Sequence, residues 1–214
     1  MSPDELDTEQ FLAELERKLQ PATLRLTLAY ASVFQLVHGQ LKSLVLDKTR
    51  TYFSAELDAG EVVVDEAAYR REVLDPSRQG GGKPDRFLGS TMWLIRHGAI
   101  SQTDADRLDQ VYEQRHALTH NLAEFLVDPR RDPDPALLRD ALAILRKIHT
   151  FWIDVELATG GFHTADLSYH HGDVDADEVW PLQLLFLYQC VDALTDPADA
   201  LRVTTTQALW QLDL

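Results

Sequence analysis

Apolar residues recur along most of this chain at intervals of three and four, the spacing of helices that bury one face. Residues 1–19 are acidic and amphipathic, with Leu6, Phe11, Leu12, Leu15 and Leu19 at roughly helical spacing. Pro21 interrupts that run and suits the first turn of the next helix, where its missing N–H is not needed. Residues 22–52 then carry a strong helical pattern. Leu24, Leu28, Ala31, Phe34 or Gln35, and His38 mark one line, widened by Leu26, Val33, Leu36 and Val37. A helix this long and apolar is expected at the centre of the fold.

Residues 54–87 change character. Val62, Val63 and Val64 form a short β-like run, and Asp65 can cap a helix over 66–74. Residues 76–84 form a loop holding Gly80, Gly81, Gly82 and Lys83. A phosphate-loop reading of these glycines fails on spacing: Ser77 occupies the place of the first glycine, and Pro84 follows the lysine in place of Ser or Thr. Residues 87–97 read as a short helix ended by Gly98. Ser101 with Asp104 three residues on is a strong start for a helix over 102–127, which stops before Pro129. A proline-rich turn over 128–135 leads to a helix over 136–158, with Leu137, Leu138, Leu142, Leu145, Ile148, Trp152 and Val155 inward and Gly160 and Gly161 at its end. A polar loop covers 162–178, an apolar helix 179–194, and 197–214 is undecided. With no internal repeat, the layout is an all-α bundle on three long helices with a C-terminal helical extension. The bundle spans residues 1–160, its core about 20–160, and 161–214 packs on the same domain.

Composition narrows the class. A chain of 214 residues that is 45% hydrophobic and 8% aromatic can bury one sizeable core and is not a disordered polymer. The lone cysteine, Cys190, rules out an intrachain disulfide; within its apolar run it reads as a buried core thiol and not a nucleophile. The longest apolar stretch, 24–46, contains Arg25, Gln35, His38, Gln40 and Lys42, which a lipid-facing span would not tolerate. The acidic, polar start is no secretory signal. No membrane association and a cytoplasmic location are expected. The net charge of −15 repels nucleic acid at long range, so any nucleic-acid site has to be a local basic island or depend on a basic partner. The same acidity is also explained by solubility alone.

The 102–127 segment carries the main chemistry. On a wheel of about 100° per residue with Arg115 at zero, Val111, Leu118, Leu122 and Phe125 cluster on one side, with Leu108 and Leu126 close to Arg115. Tyr112, Glu113, His116, Thr119 and His120 spread over the other side. His116 and His120 are one turn apart and therefore neighbours. Arg115 stands at the border of the apolar face, partly desolvated yet able to reach the polar arc.

The run Arg115, His116, Ala117, Leu118, Thr119, His120, Asn121 resembles the motif of HEPN domains (higher eukaryotes and prokaryotes nucleotide-binding): an arginine, a polar residue, three more residues, then histidine. The order of elements is similar as well, with a long first helix, an irregular insertion, and the motif in a later helix followed by another long one. The resemblance covers residues 20–160; it leaves 161–214 unexplained, and the 54–87 insertion is longer than a minimal domain needs. It implies a HEPN-like bundle of long antiparallel helices and metal-independent RNA cleavage with no cofactor. RNA brings its own nucleophile, the 2′-hydroxyl. Cleavage then needs a group to take that proton, a group to protonate the leaving oxygen, and positive charge at the phosphorane. Imidazole titrates near neutral pH, which makes His120 the implied general acid or base. Arg115 would hold the phosphate and stabilise developing charge, and His116 would assist proton transfer or orient the phosphate. Tyr112, Thr119 and Asn121 support them. The resemblance also implies a homodimer with facing motifs, and a setting such as a toxin with its antitoxin or a phage-defence effector. Glu113 and Glu124 flank the motif and oppose RNA binding. A non-catalytic module that binds RNA, a nucleotide or a protein through the same face is therefore the rival reading.

Other clusters carry less. Asp173, Asp175 and Asp177 alternate as in a calcium loop, but Glu178 stands where a turn glycine is needed and Leu184 where a glutamate is needed. A looser divalent site at His170, His171 and Asp173, with His163 nearby, is a third reading, against a solvated acidic loop. His149 beside Ile148 and Trp152 suits a core or boundary position, and His97 before Gly98 suits a helix C-terminus. His38 is expected to be structural, with the option of facing the motif across the bundle. Arg70 with Arg71 and Arg130 with Arg131 are short pairs that read as solvated surface.

Overall fold

The computed structural model describes residues 8–56, 62–78, 82–159 and 175–195. Local signals set most element ends. α1 is Thr8–Lys18, and α2 is Pro21–Ser43 with Pro21 in its first turn. The helical path continues through a π turn, Leu44–Lys48, into α3, Thr49–Tyr52. β1 (Ser54–Glu56) and β2 (Val62–Val64) form one antiparallel ribbon with Ser54 opposite Val64. Asp65 caps α4 (Glu66–Tyr69) by accepting from the N–H groups of Ala67 and Ala68. A π turn, Arg70–Leu74, and a 3₁₀ turn, Asp75–Ser77, follow. α5 (Arg86–Arg96) is capped by Asp85 and closed by Gly98 at φ 77°, the left-handed conformation a glycine adopts freely. Ser101 and Asp104 form a reciprocal capping box at the start of α6, Gln102–His120. α7 is Leu122–Val127, α8 is Pro135–Thr159 and α9 is Leu182–Thr195.

The all-α expectation holds, with a single ribbon as the only strand pair among the described residues. α2, α6 and α8 pack on one another around Phe34, Val37, Leu41, Leu108, Val111, Leu118, Leu138, Leu145 and Ile148. Cross-contacts fix the helix directions. The Tyr30 hydroxyl donates to Asp134 O at the start of α8, and Lys48 pairs with Glu156 near its end, so α2 and α8 run parallel. Arg107 pairs with Asp140 and Lys147 with Asp104, so α6 runs against both. The expectation of antiparallel long helices thus applies to α6 against its two neighbours. α9 packs on α2 and α8 through Leu184, Leu187 and Val191. Arg146 of α8 ties down the segment before α9, donating to Asp177 O and Val179 O with its guanidinium 4.3 Å above the Trp180 ring.

Three sequence expectations are corrected. The 102–127 segment is two helices: Asn121, at φ −123° and ψ 28°, ends α6 and starts α7. Its N–H still donates to Ala117 O, while its own C=O accepts from Glu124 N, so the chain turns without orphaning either group. On α2, Leu26, Leu28 and Leu36 face outward and Tyr30, Ala31, Val33, Phe34, Val37 and Leu41 inward. Cys190 is only partly buried, at the edge of the core, where burial pushes its thiol up and keeps it a poor nucleophile. The residues Gly80, Gly81, Gly160, Gly161, His163, His170, His171 and Asp173 lie outside the described residues, as does 197–214. No helix among the described residues is long and apolar enough to cross a membrane.

α5 is seated by close approach. A Cβ on Gly89 would lie 2.3 Å from Val73 O and 3.2 Å from the Ser77 Cβ. Beside this contact Trp93 stacks on Trp152 at 5.8 Å and 9°, joining α5 to α8. Because the obstacle is backbone, Gly89→Ala is expected to push α5 off the 70–77 turns. A stability loss of about 1–3 kcal/mol is expected by denaturant titration; an unchanged midpoint would show that the turn yields freely.

Candidate functional site

Arg115 is held from α2. Its Nε donates to Gln35 Oε1 at 3.0 Å, and Gln35 Nε2 donates to Thr119 Oγ1 at 2.7 Å. The Thr119 hydroxyl in turn donates to Arg115 O at 2.8 Å. These bonds close a ring that fixes the guanidinium by one edge and leaves its two terminal nitrogens for other partners. The back-bond from Thr119 also loosens the last turn of α6, a turn before the chain breaks at Asn121.

His116 and His120 lie on the other side of α6. Both are exposed, with ring centroids 4.4 Å apart and planes tilted by 51°. Among the described residues neither imidazole makes a hydrogen bond or an ion pair. Within one chain the motif is therefore divided: the histidines meet each other in solvent, and Arg115 turns inward to Gln35. Glu124, which flanks the motif, is engaged by Arg131, so one of the two opposing carboxylates is locally neutralised. Glu113 is exposed. Arg130 pairs with Asp128, and Arg70 and Arg71 are exposed, as expected of surface pairs.

On the inward side of Arg115 the helices part. An open groove of roughly 1010 Å³ runs between α2, α5 and α6. α2 contributes Gln35, His38, Gly39 and Lys42; α5 contributes Phe87, Leu88, Thr91 and Met92; α6 contributes Asp109, Tyr112 and Arg115. His38 thus faces the motif across the bundle, with its ring 6.0 Å from that of Tyr112. Burial first, then the charges of Arg115 and Lys42, hold its imidazole below the ordinary 6.5. Gln35 and Lys42 were not singled out from sequence. The available signal was their spacing with His38, which puts three polar side chains on one stripe of an otherwise apolar helix.

His149 is lowered as well, by burial and then by Arg146 and Lys48, against an opposing Glu156. Both histidines therefore resist protonation in the folded chain more than in the unfolded one. Below the ordinary imidazole value the unfolded state takes up protons that the folded state refuses, so stability falls as pH drops through that range. Melting curves between about pH 7 and pH 5 are expected to shift down less in a His38→Gln, His149→Gln double variant than in wild type. Equal shifts would remove these two residues as the source.

Among the described residues no three His, Cys, Asp or Glu side chains gather as a metal-binding group. His97 ends α5 and stacks on Trp93 at 3.9 Å, a structural role. No protein-family model, no curated protein and no solved structure matches this chain.

Proposed function

We propose that this chain is a metal-independent, HEPN-type endoribonuclease that works as a homodimer, in a toxin–antitoxin or phage-defence setting. The reading is carried by the exposed imidazole pair, His116 and His120, on the last turn of α6 beside an arginine anchored by a single edge. Two neighbouring imidazoles can act as proton donor and acceptor to a 2′-hydroxyl and a leaving oxygen. A second copy apposed at the end of α6 would bring its own Arg115 and His120 to a shared groove, supplying the charge that one acidic chain lacks there. The test is RNA incubated in EDTA with wild type, Arg115→Ala and His120→Ala. Loss of cleavage in both variants supports the reading; equal cleavage by all three, or none by wild type, retires it.

A non-catalytic module that binds RNA, a nucleotide or a protein through the same face is favoured by one observation, the commitment of Arg115 Nε to Gln35 on the side away from His120. It predicts that Arg115→Ala weakens binding while RNA turnover is never detected, so the same variants separate the two readings.

A further inference from the structure

We propose that the groove between α2, α5 and α6 binds a small anion with an apolar body, its head on Lys42 and Arg115 and its body along Phe87, Leu88 and Met92. The charge argument comes first. Lys42 and Arg115 both line the groove, and among the described residues no carboxylate lies within ion-pair distance of either. Other cations of the described residues lack such a partner too, but Lys42 and Arg115 are the two that face one groove. Of the two carboxylates at the groove, Asp85 is occupied in capping α5, and Asp109 lies on the α6 wall.

The second argument is an unpartnered polar atom. Thr91 lines the groove at 6% exposure, and its Oγ1 has no hydrogen-bond partner. A buried hydroxyl without a partner is disfavoured, and turning the Thr91 side chain toward the groove would bring it to a polar atom of a ligand. The third is Gly39. A glycine in the interior of a helix costs about 1 kcal/mol relative to alanine. Here a Cβ would meet no protein atom within 4 Å, so packing does not require it. What glycine preserves at that position is open space against the α2 backbone. The fourth is the α5 wall, where Leu88 and Met92 offer nothing to a sugar–phosphate backbone, and Met92 is 40% exposed. A volume near 1000 Å³ suits a small molecule.

This inference stands apart from RNA cleavage. The two readings share Arg115 and, on the groove wall, Tyr112, so the test rests on Lys42 and Gly39. The full chain is titrated calorimetrically with octanoate, octyl phosphate, octanol and inorganic phosphate. The expected result is one saturable site per chain for at least one octyl anion, bound about tenfold or more tighter than octanol and than inorganic phosphate. Lys42→Ala is expected to weaken that binding about tenfold, and Gly39→Trp to abolish it by filling the groove. Lys42 and Gly39 are both exposed, so melting curves of the variants should match wild type and exclude unfolding. Octanol binding as well as the anions would overturn the charged head, and inorganic phosphate binding as well as octyl phosphate would overturn the apolar wall. Unchanged binding in both variants would move the site elsewhere and overturn the proposal. So would a short RNA that loses affinity in Gly39→Trp while no octyl anion binds.

Discussion

His120→Ala is expected to slow RNA cleavage by roughly 10²–10⁴-fold, the usual loss when a positioned general acid or base is removed. The fold should not notice. The side chain is exposed, and its one described contact is the neighbouring His116 ring, so stability should stay within about 0.5 kcal/mol of wild type. A rate loss at constant stability separates chemistry from unfolding. His116→Ala should cost less if His120 carries the proton and His116 only orients it. If the two imidazoles act as a unit, the double variant should be little worse than His120→Ala alone. Arg115→Lys should also fail, because a single ammonium nitrogen cannot hold Gln35 and still present two nitrogens to a phosphate. The pH–rate profile discriminates further: a bell shape reports an acid and a base together, and a single limb reports one group. Undiminished turnover in His120→Ala would end the ribonuclease reading, and with it the assignment of His116.

Much of the frame was legible because short-range chemistry fixes it. Asp65, Asp85 and Ser101 cap helices through their own side chains, and Gly98 takes the left-handed turn that ends α5. These signals act over three or four residues, so a linear reading captures them, although Asp85 as a cap was not foreseen. The break at Asn121 was hidden for the opposite reason. Apolar spacing continues through it, since Leu118 and Phe125 are both buried, and periodicity alone reads one helix where the core accepts two. The capping tendency of asparagine was the one local hint. On α2 the apolar stripe is broad because α6, α7, α8 and α9 all touch it, so spacing could not tell covered leucines from exposed ones. The site divides in the same way. The closeness of His116 and His120 follows from helical geometry. The clamp by Gln35 depends on a partner 80 residues away, and no pattern within the motif announces it.

The longest-range contact of this kind is also the most costly to break. Lys18, the last residue of α1, is only 2% exposed, the one charged side chain that is buried among the described residues. The amphipathic helix forms where its spacing places it, with Leu15 half-buried, but Phe11, Leu12 and Leu19 stay exposed and the lysine is what goes deepest. Its Nζ donates to Phe125 O at 3.1 Å, near the end of α7, and to Arg131 O in the following turn. It also pairs with Asp132 at 3.0 Å. One ammonium thus satisfies a buried helix-end carbonyl and a part-buried loop carbonyl, while its stem fills the seam between α1 and α7. Lys18→Met keeps most of that stem and removes the three donors. The orphaned carbonyls should cost about 2–4 kcal/mol, a fall in melting temperature of about 2–4 °C per kcal/mol for a chain of this size. Asp132→Asn should cost about 1 kcal/mol or less, because that carboxylate is 60% exposed and water screens the pair. The contrast is the test. Equal losses in the two variants would mean that the ion pair, and not the capping of α7, holds α1 in place. Because α7 leaves directly from His120 and Asn121, Lys18→Met should also loosen the end of α6. Faster hydrogen exchange over 118–127, with α8 unchanged, would mark that local path, whereas uniform loss of protection would point to global destabilisation.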